Sequence, residues 1–345
     1  MAAVDVLVVS LGSTAGLRAA DAELVASLRR AGASVAVVVA RAPRDVRTFA
    51  LTDLAWALAA RRAAVEGLRA HRPRAVLYAT TTAALLWPRP GAVRFDAPAA
   101  ANRPGRHGVW QRPVERRRLR AAPLLVPQSA GALAEAGLTA EPAVVVPIPV
   151  EPFGPPAAAR DVAAITYAAN PHKKGLDVVL AAWTRVRREG EELLVTGTGA
   201  VPDRPGVRAT GPLAPDAYRA LLRRARVYVT APRREDYGVA QLEALADGCL
   251  LVTNAAPGPY AALPLARALD PRLVGDDLAT GLRTALDDPP PGYATRAREA
   301  IAPFRRAAVD ATVRDELLPA LLTSGRACEA ARSAPTGACW RRRPR

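Results

Sequence analysis

The chain has 345 residues, half of them apolar and 23% charged, a balance that excludes wholesale disorder and a length that suits two domains of roughly 100–200 residues. No apolar run approaches the roughly 18–20 residues a bilayer span requires. The net charge of +16 comes from 48 basic residues, two lysines and 46 arginines, against 32 acidic ones, with only 5% aromatics, and arginines so dispersed make no base-stacking platform for nucleic acid.

Residues 4–9 read as a buried strand, 17–30 as a helix, 34–39 as a strand, 50–70 as a long helix and 75–78 as a strand. The apolar runs 93–95, 124–126 and 144–146 complete the first half. Continuous apolar runs parted by helical periodicity predict a parallel sheet covered on both faces. The stretch 147–156 (PIPVEPFGPP) stops helix and sheet alike and predicts a hinge. Beyond it, strands are expected over 163–167, 193–196, 207–209, 227–230 and 250–253. Helices are expected over 176–188, 217–224, 239–246, 279–286, 294–301 and 310–322. The small, polar and basic residues of the segment 323–345 predict a disordered tail. The reading is α/β: two doubly wound Rossmann-like halves, 1–150 and 151–322, with ligands at the carboxyl ends of their strands in a cleft between them.

Three stretches carry chemistry. In 231–249 (APRREDYGVAQLEALADGC), Glu235 lies on the loop after a strand, Gly238 permits close backbone approach, and a helix starting at Val239 brings Glu243 eight residues on. Free amides at that helix start suit an anionic or hydroxyl-rich ligand, and the carboxylates suit sugar and ribose hydroxyls. Taken alone, the two glutamates read as a helix cap and a solvated face residue. In 167–183 (YAANPHKKGLDVVLAAW) both lysines of the chain stand together as Lys173 and Lys174. A compact ammonium enters a narrow phosphate site that a guanidinium would overfill. In 193–199 (LLVTGTG) a strand ends in Gly197 and Gly199. The third glycine of a dinucleotide fingerprint is missing, which argues against NAD.

The run 231–249 resembles the E-x7-E signature of retaining glycosyltransferases of the GT-B fold, closest to glycosyltransferase family 4. It departs at Arg233, where Ser is common, and at Cys249-Leu250, where Thr-Pro is usual. The resemblance implies that Glu235 holds the donor sugar, that Tyr237, Gly238 and Val239 lie at the sugar and diphosphate, and that Glu243 holds the ribose. In the same family the second stretch reads Gly-Arg-Leu, three residues, Lys-Gly. Lys174-Gly175 matches, while Ala169 stands at the arginine, so that either Lys173 or a nearby arginine is the substitute cation or the diphosphate is bound more weakly. Gly197, Gly199 and Leu213 would lie near the nucleotide. The loop from Gly12 to Gly16 matches a glycine-rich loop that faces the donor phosphates, with an ordinary βα turn as the equal alternative. Asp96 would orient or deprotonate an acceptor hydroxyl, or else cap a helix. Asn102, Arg103, His107 and Trp110 form the candidate acceptor region, although His107 alone reads as a surface histidine.

Glu235, Lys174 and Asp96 are thus the expected catalytic residues of a metal-independent transferase. Its co-substrate would be a nucleotide-diphosphate sugar, with no other cofactor and an unidentified acceptor. The chain has no Asp-x-Asp, P-loop, Gly-x-Ser-x-Gly or HExxH. Cys249, Cys328 and Cys339 form no CxxC pair, which suits a reducing cytoplasm. The charge permits loose association with anionic membrane. A GT-B sugar-nucleotide epimerase and a degenerate, non-catalytic sugar-nucleotide binding protein are the alternatives.

Overall fold

The computed structural model describes residues 2–43, 48–103, 105–139, 141–155 and 159–333. In chain order the elements begin with β1 (Ala2–Ser10), α1 (Ala15–Arg30), β2 (Val35–Val39), α2 (Phe49–Ala70), β3 (His71–Tyr78) and α3 (Thr81–Ala84). Next come β4 (Ala92–Phe95), α4 (Ala99–Asn102), α5 (Gln111–Ala121), β5 (Leu125–Pro127) and α6 (Ala130–Ala136). A second series follows with β6 (Val162–Tyr167), α7 (Leu176–Val186), β7 (Leu193–Thr196), β8 (Val207–Gly211), α8 (Pro215–Arg224) and β9 (Ala225–Thr230). Then come α9 (Val239–Ala246), β10 (Leu250–Thr253), α10 (Ala262–Leu269), α11 (Leu278–Asp287) and α12 (Tyr293–Ala300). The last helices are α13 (Arg306–Thr312) and α14 (Leu318–Ser333). Among the described residues no helix is long and apolar enough to cross a membrane.

The chain forms two compact units. The first takes residues 1–128, 137–146 and 310–345, the second residues 129–136 and 147–309. In the first, five parallel strands run in the order β2-β1-β3-β4-β5. Val6 to Val9 are sealed from water, as their unbroken apolar run requires. Threonines start the helices around this sheet: Thr14 accepts from the Leu17 amide at 3.2 Å, Thr48 from Leu51 at 3.3 Å and Thr80 from Ala83 at 3.1 Å. In the second unit the parallel order is β10-β9-β6-β7-β8, with Trp183 and Tyr228 fully buried against the sheet.

Several expectations require correction. Residues 144–146 run beside β5, with Val144 N donating to Leu125 O and Val146 N to Pro127 O, each at 2.9 Å, but Pro142 and Pro147 bound the run and no regular strand forms. The expected hinge is strapped to the second unit through its described residues. Ile148 N donates to the Tyr237 hydroxyl at 2.8 Å, Val150 N to Phe304 O at 2.8 Å and Phe153 N to Asp247 Oδ1 at 2.8 Å. Pro156 lies outside the described residues. The boundary thus falls at residue 146 instead of 150, and the chain from Asp310 onward returns to the first unit instead of ending the second. Helix α14 continues through Ser333, well into the expected disordered tail; residues 334–345 lie outside the described ones. Four helices, α3, α4, α5 and α10, were not foreseen. Pro264 falls in the first turn of α10, where a missing amide costs little.

Candidate functional site

In the second unit the strand order reverses between β6 and β9, and the loops leaving those two neighbours carry Lys174 and Glu235. A switch point of this kind opens a crevice at the carboxyl ends of the strands. The two loops are laced together: Arg233 N donates to Lys173 O at 3.0 Å, and the Arg233 guanidinium donates to His172 O at 3.2 Å and to Asp177 at 2.8 Å. Gly175 permits this approach. It adopts φ +62°, and a Cβ there would stand 1.9 Å from Ala231 O.

The lacing brings Lys174 Nζ to 2.5 Å from Glu235 Oε2, with the two side chains only 18% and 7% exposed. Gln241, fully buried on the first turn of α9, donates to the same oxygen at 3.0 Å. Glu235 Oε1 makes no hydrogen bond among the described residues. A buried charge pair of this kind persists only when hydrogen bonds complete it, which is the part Gln241 plays. Beside it, Gly238 at φ +91° starts α9, and a Cβ there would meet the Tyr260 ring at 2.9 Å. The first amides of α9, from Val239 on, precede the intrahelical ladder and point outward from its N-terminus. Lys173, half exposed, pairs with Asp236 at 3.1 Å.

Glu243 lies one turn further along α9, half-buried, 3.4 Å from Arg219, which also holds Asp247 at 2.7 Å. Burial raises the Glu243 carboxyl above the usual range, and the Asp247 charge adds to this. The Tyr167 and Tyr218 rings stand 5.7 Å apart, and the buried Tyr218 hydroxyl has no partner among the described residues. Gly197 adopts φ +86° with room for a Cβ only 2.8 Å from Ala169 N, so the loops after β6 and β7 also abut. Gly199 is open and exposed, and Leu213 is half-buried. Ala169 is exposed. Tyr237 does not fit its expected place at the donor: its side chain is buried and its hydroxyl is tied to Ile148. Cys249 is buried, its thiol pushed up to about 11 by burial, and it donates to Leu222 O.

The first unit has its own cavity, of about 370 Å³, at the carboxyl ends of β1, β3, β4 and β5. It sits at that sheet's reversal between β1 and β3. Asp96, Asn102 and Arg103 line it, as expected for an acceptor region. Asp96 Oδ1 accepts from the Ala97 amide at 2.9 Å, but the next helix, α4, starts from Pro98 with no side-chain cap, so Asp96 does not play the helix-capping role that the sequence also allowed. His107 is exposed and Trp110 donates its indole N–H to Ala50 O at 3.1 Å; neither lines the cavity. Gly12 is held by φ +60° beside Val39, and Gly16 lies inside α1, so Ser13 and Thr14 face the cavity in their stead. Missed by the sequence reading were Gln241 and Tyr218 in the second unit, and Asp53 and Trp56 in the first, whereas Gln111, which lines the cavity, closes the candidate acceptor stretch 102–111. Only Gln241, inside the E-x7-E run, had a neighbouring signal.

Residues 161–288, from the start of β6 to the end of α11, match the family model for glycosyl transferases group 1. Among curated proteins none matches the chain. Sucrose-phosphate synthase from Thermosynechococcus elongatus superposes with a TM-score of 0.73 at 15% identity, over 94% of this chain and 100% of that one. Trehalose 6-phosphate synthase from Burkholderia multivorans gives 0.64 at 13% identity, over 96% and 100%. WaaG, a glycosyltransferase involved in lipopolysaccharide biosynthesis, gives 0.63 at 14% identity, over 97% and 100%. At these identities the likeness shows the fold, which is GT-B: two Rossmann-like α/β units. The segment matched by the group 1 glycosyltransferase model includes Lys174, Glu235 and Glu243.

Proposed function

We propose that the chain transfers a sugar from a nucleotide-diphosphate sugar to an acceptor hydroxyl, with retention at the anomeric carbon and without a metal ion. The observation that carries this reading is the Lys174–Glu235 pair beside the N-terminus of α9 at the switch point. The bond from the anomeric carbon to the diphosphate oxygen breaks, and its electron pair leaves with the diphosphate. Lys174 and the first amides of α9 stabilise that developing charge. The acceptor oxygen bonds to the same face of the sugar, and its proton passes to a departing phosphate oxygen. Glu235 holds donor hydroxyls through Oε1, Glu243 the ribose, and Lys173 is the further cation of the loop where relatives carry an arginine. Asp96 orients the acceptor hydroxyl. The epimerase alternative would require acid and base groups flanking the sugar ring, whereas Glu235 is already committed to a lysine. The surplus of arginines supports loose attachment to anionic membrane.

Thermal unfolding against UDP, GDP, ADP, TDP and their sugars tests this reading. At 100 times its dissociation constant the right nucleotide should stabilise the native chain by roughly 2.7 kcal/mol. Lys174→Ala should abolish that response. A flat response to the whole panel would sink the transferase reading in favour of a degenerate binding module.

A further inference from the structure

The cavity of the first unit has a wall chemistry that narrows what it accepts. Its volume, about 370 Å³, lies at the small end of ligand pockets, which run from roughly 300 to 1,000 Å³. Thr80, Thr81 and Thr82 line it in succession, and Trp56 is the indole-bearing residue of its wall. Gln111 lines it while only 2% exposed, and its Oε1 is buried without a partner among the described residues. An orphaned buried acceptor costs free energy unless a donor from a ligand meets it. A ring hydroxyl is such a donor.

Charge points the same way. Arg103 is the one cation among the described residues that line the cavity. Its guanidinium is engaged by the buried Asp53 in fork geometry, Nε to Oδ2 at 2.9 Å and Nη2 to Oδ1 at 3.3 Å. Asp96 adds a further carboxylate to the wall. A phosphorylated ligand would meet a cation already engaged by a buried carboxylate.

We propose that this cavity takes an uncharged polyhydroxylated ring, a free monosaccharide or cyclitol, and discriminates against its phosphate ester. Calling that ring the acceptor rests on the transferase reading above; its binding does not. Gln111 and Trp56 hold the ring, and Asp53 sets selectivity by keeping Arg103 occupied.

Calorimetric titration of the full chain with glucose, mannose and myo-inositol, each beside its monophosphate, tests the proposal without any donor present. At least one neutral probe should bind at least tenfold tighter than its ester. Gln111→Met and Trp56→Leu should each weaken that binding about tenfold. Asp53→Asn should instead raise affinity for the ester about tenfold by releasing Arg103, a gain that misfolding cannot mimic. An ester that binds wild type as tightly as the free ring, or no binding by any neutral probe, overturns the proposal. A flat nucleotide panel alongside neutral-ring binding would sink the transferase reading and leave this one standing.

Discussion

Glu115 holds its Oε1 2.6 Å from the Ala99 amide in a place almost closed to water. Burial is the largest influence on its carboxyl and raises it above the ordinary value of 4.5. The folded chain therefore binds this proton more tightly than the unfolded one does. The stability linked to that proton is fully present below pH 4.5 and is lost as pH rises through the folded value. Glu115→Gln keeps an acceptor for Ala99 and removes the charge. Its melting temperature should exceed that of wild type at pH 7, and the gap should close towards pH 4. At this scale the sequence shows residues whose partners are close in the chain or share a motif. Glu235 and Glu243 were legible because one loop and the helix it enters fix them together, and Lys174 because both lysines of the chain stand in one motif. Asp53 was not, since its partner Arg103 stands fifty residues away and no spacing marks the pair. Tyr237 carried the right motif letter, yet its hydroxyl serves Ile148.

Among the connecting segments, the glycine that begins α7 controls the alignment of both motif loops. Gly175→Ala would force a left-handed backbone, worth about 1–3 kcal/mol, and drive a methyl group against Ala231 O. Urea unfolding should show a loss beyond that range, together with loss of the nucleotide response. Gly190→Ala is the control: φ is +79° there, but no atom stands within 4 Å of the added carbon. It should cost about 1 kcal/mol and leave the nucleotide response intact. Buried strands were legible for the same reason that they are strong, an unbroken apolar run sealed on both faces. Helix α5 (QRPVERRRLRA) buries little beyond Leu119, Gln111 and Glu115, so it leaves almost no apolar stripe to read. The part of α14 beyond residue 322 escaped notice because a glycine rather than an apolar stripe packs it. Gly325 lies so close to β3 that a Cβ would fall 2.0 Å from Arg74 O.

Viewed across the whole chain, the first unit is discontinuous. Asp310 returns to it and is held by Arg30 at 2.7 and 2.8 Å and by the Ser27 hydroxyl at 2.5 Å. Gly325→Val should lower the unfolding transition of the first unit by several degrees while the second unit's transition, identified by its shift with nucleotide, stays in place. A common drop in both would show that the two melt as one.

That return has a consequence for the chain's synthesis. A ribosome delivers residues in order, so everything the second unit contains has been made once residue 309 is out. The first unit, begun earliest, still lacks the helix that covers β3 at Gly325. Nascent chains usually complete an earlier domain before a later one; here the first unit is completed after the second, and its sheet waits partly uncovered until α14 has been made.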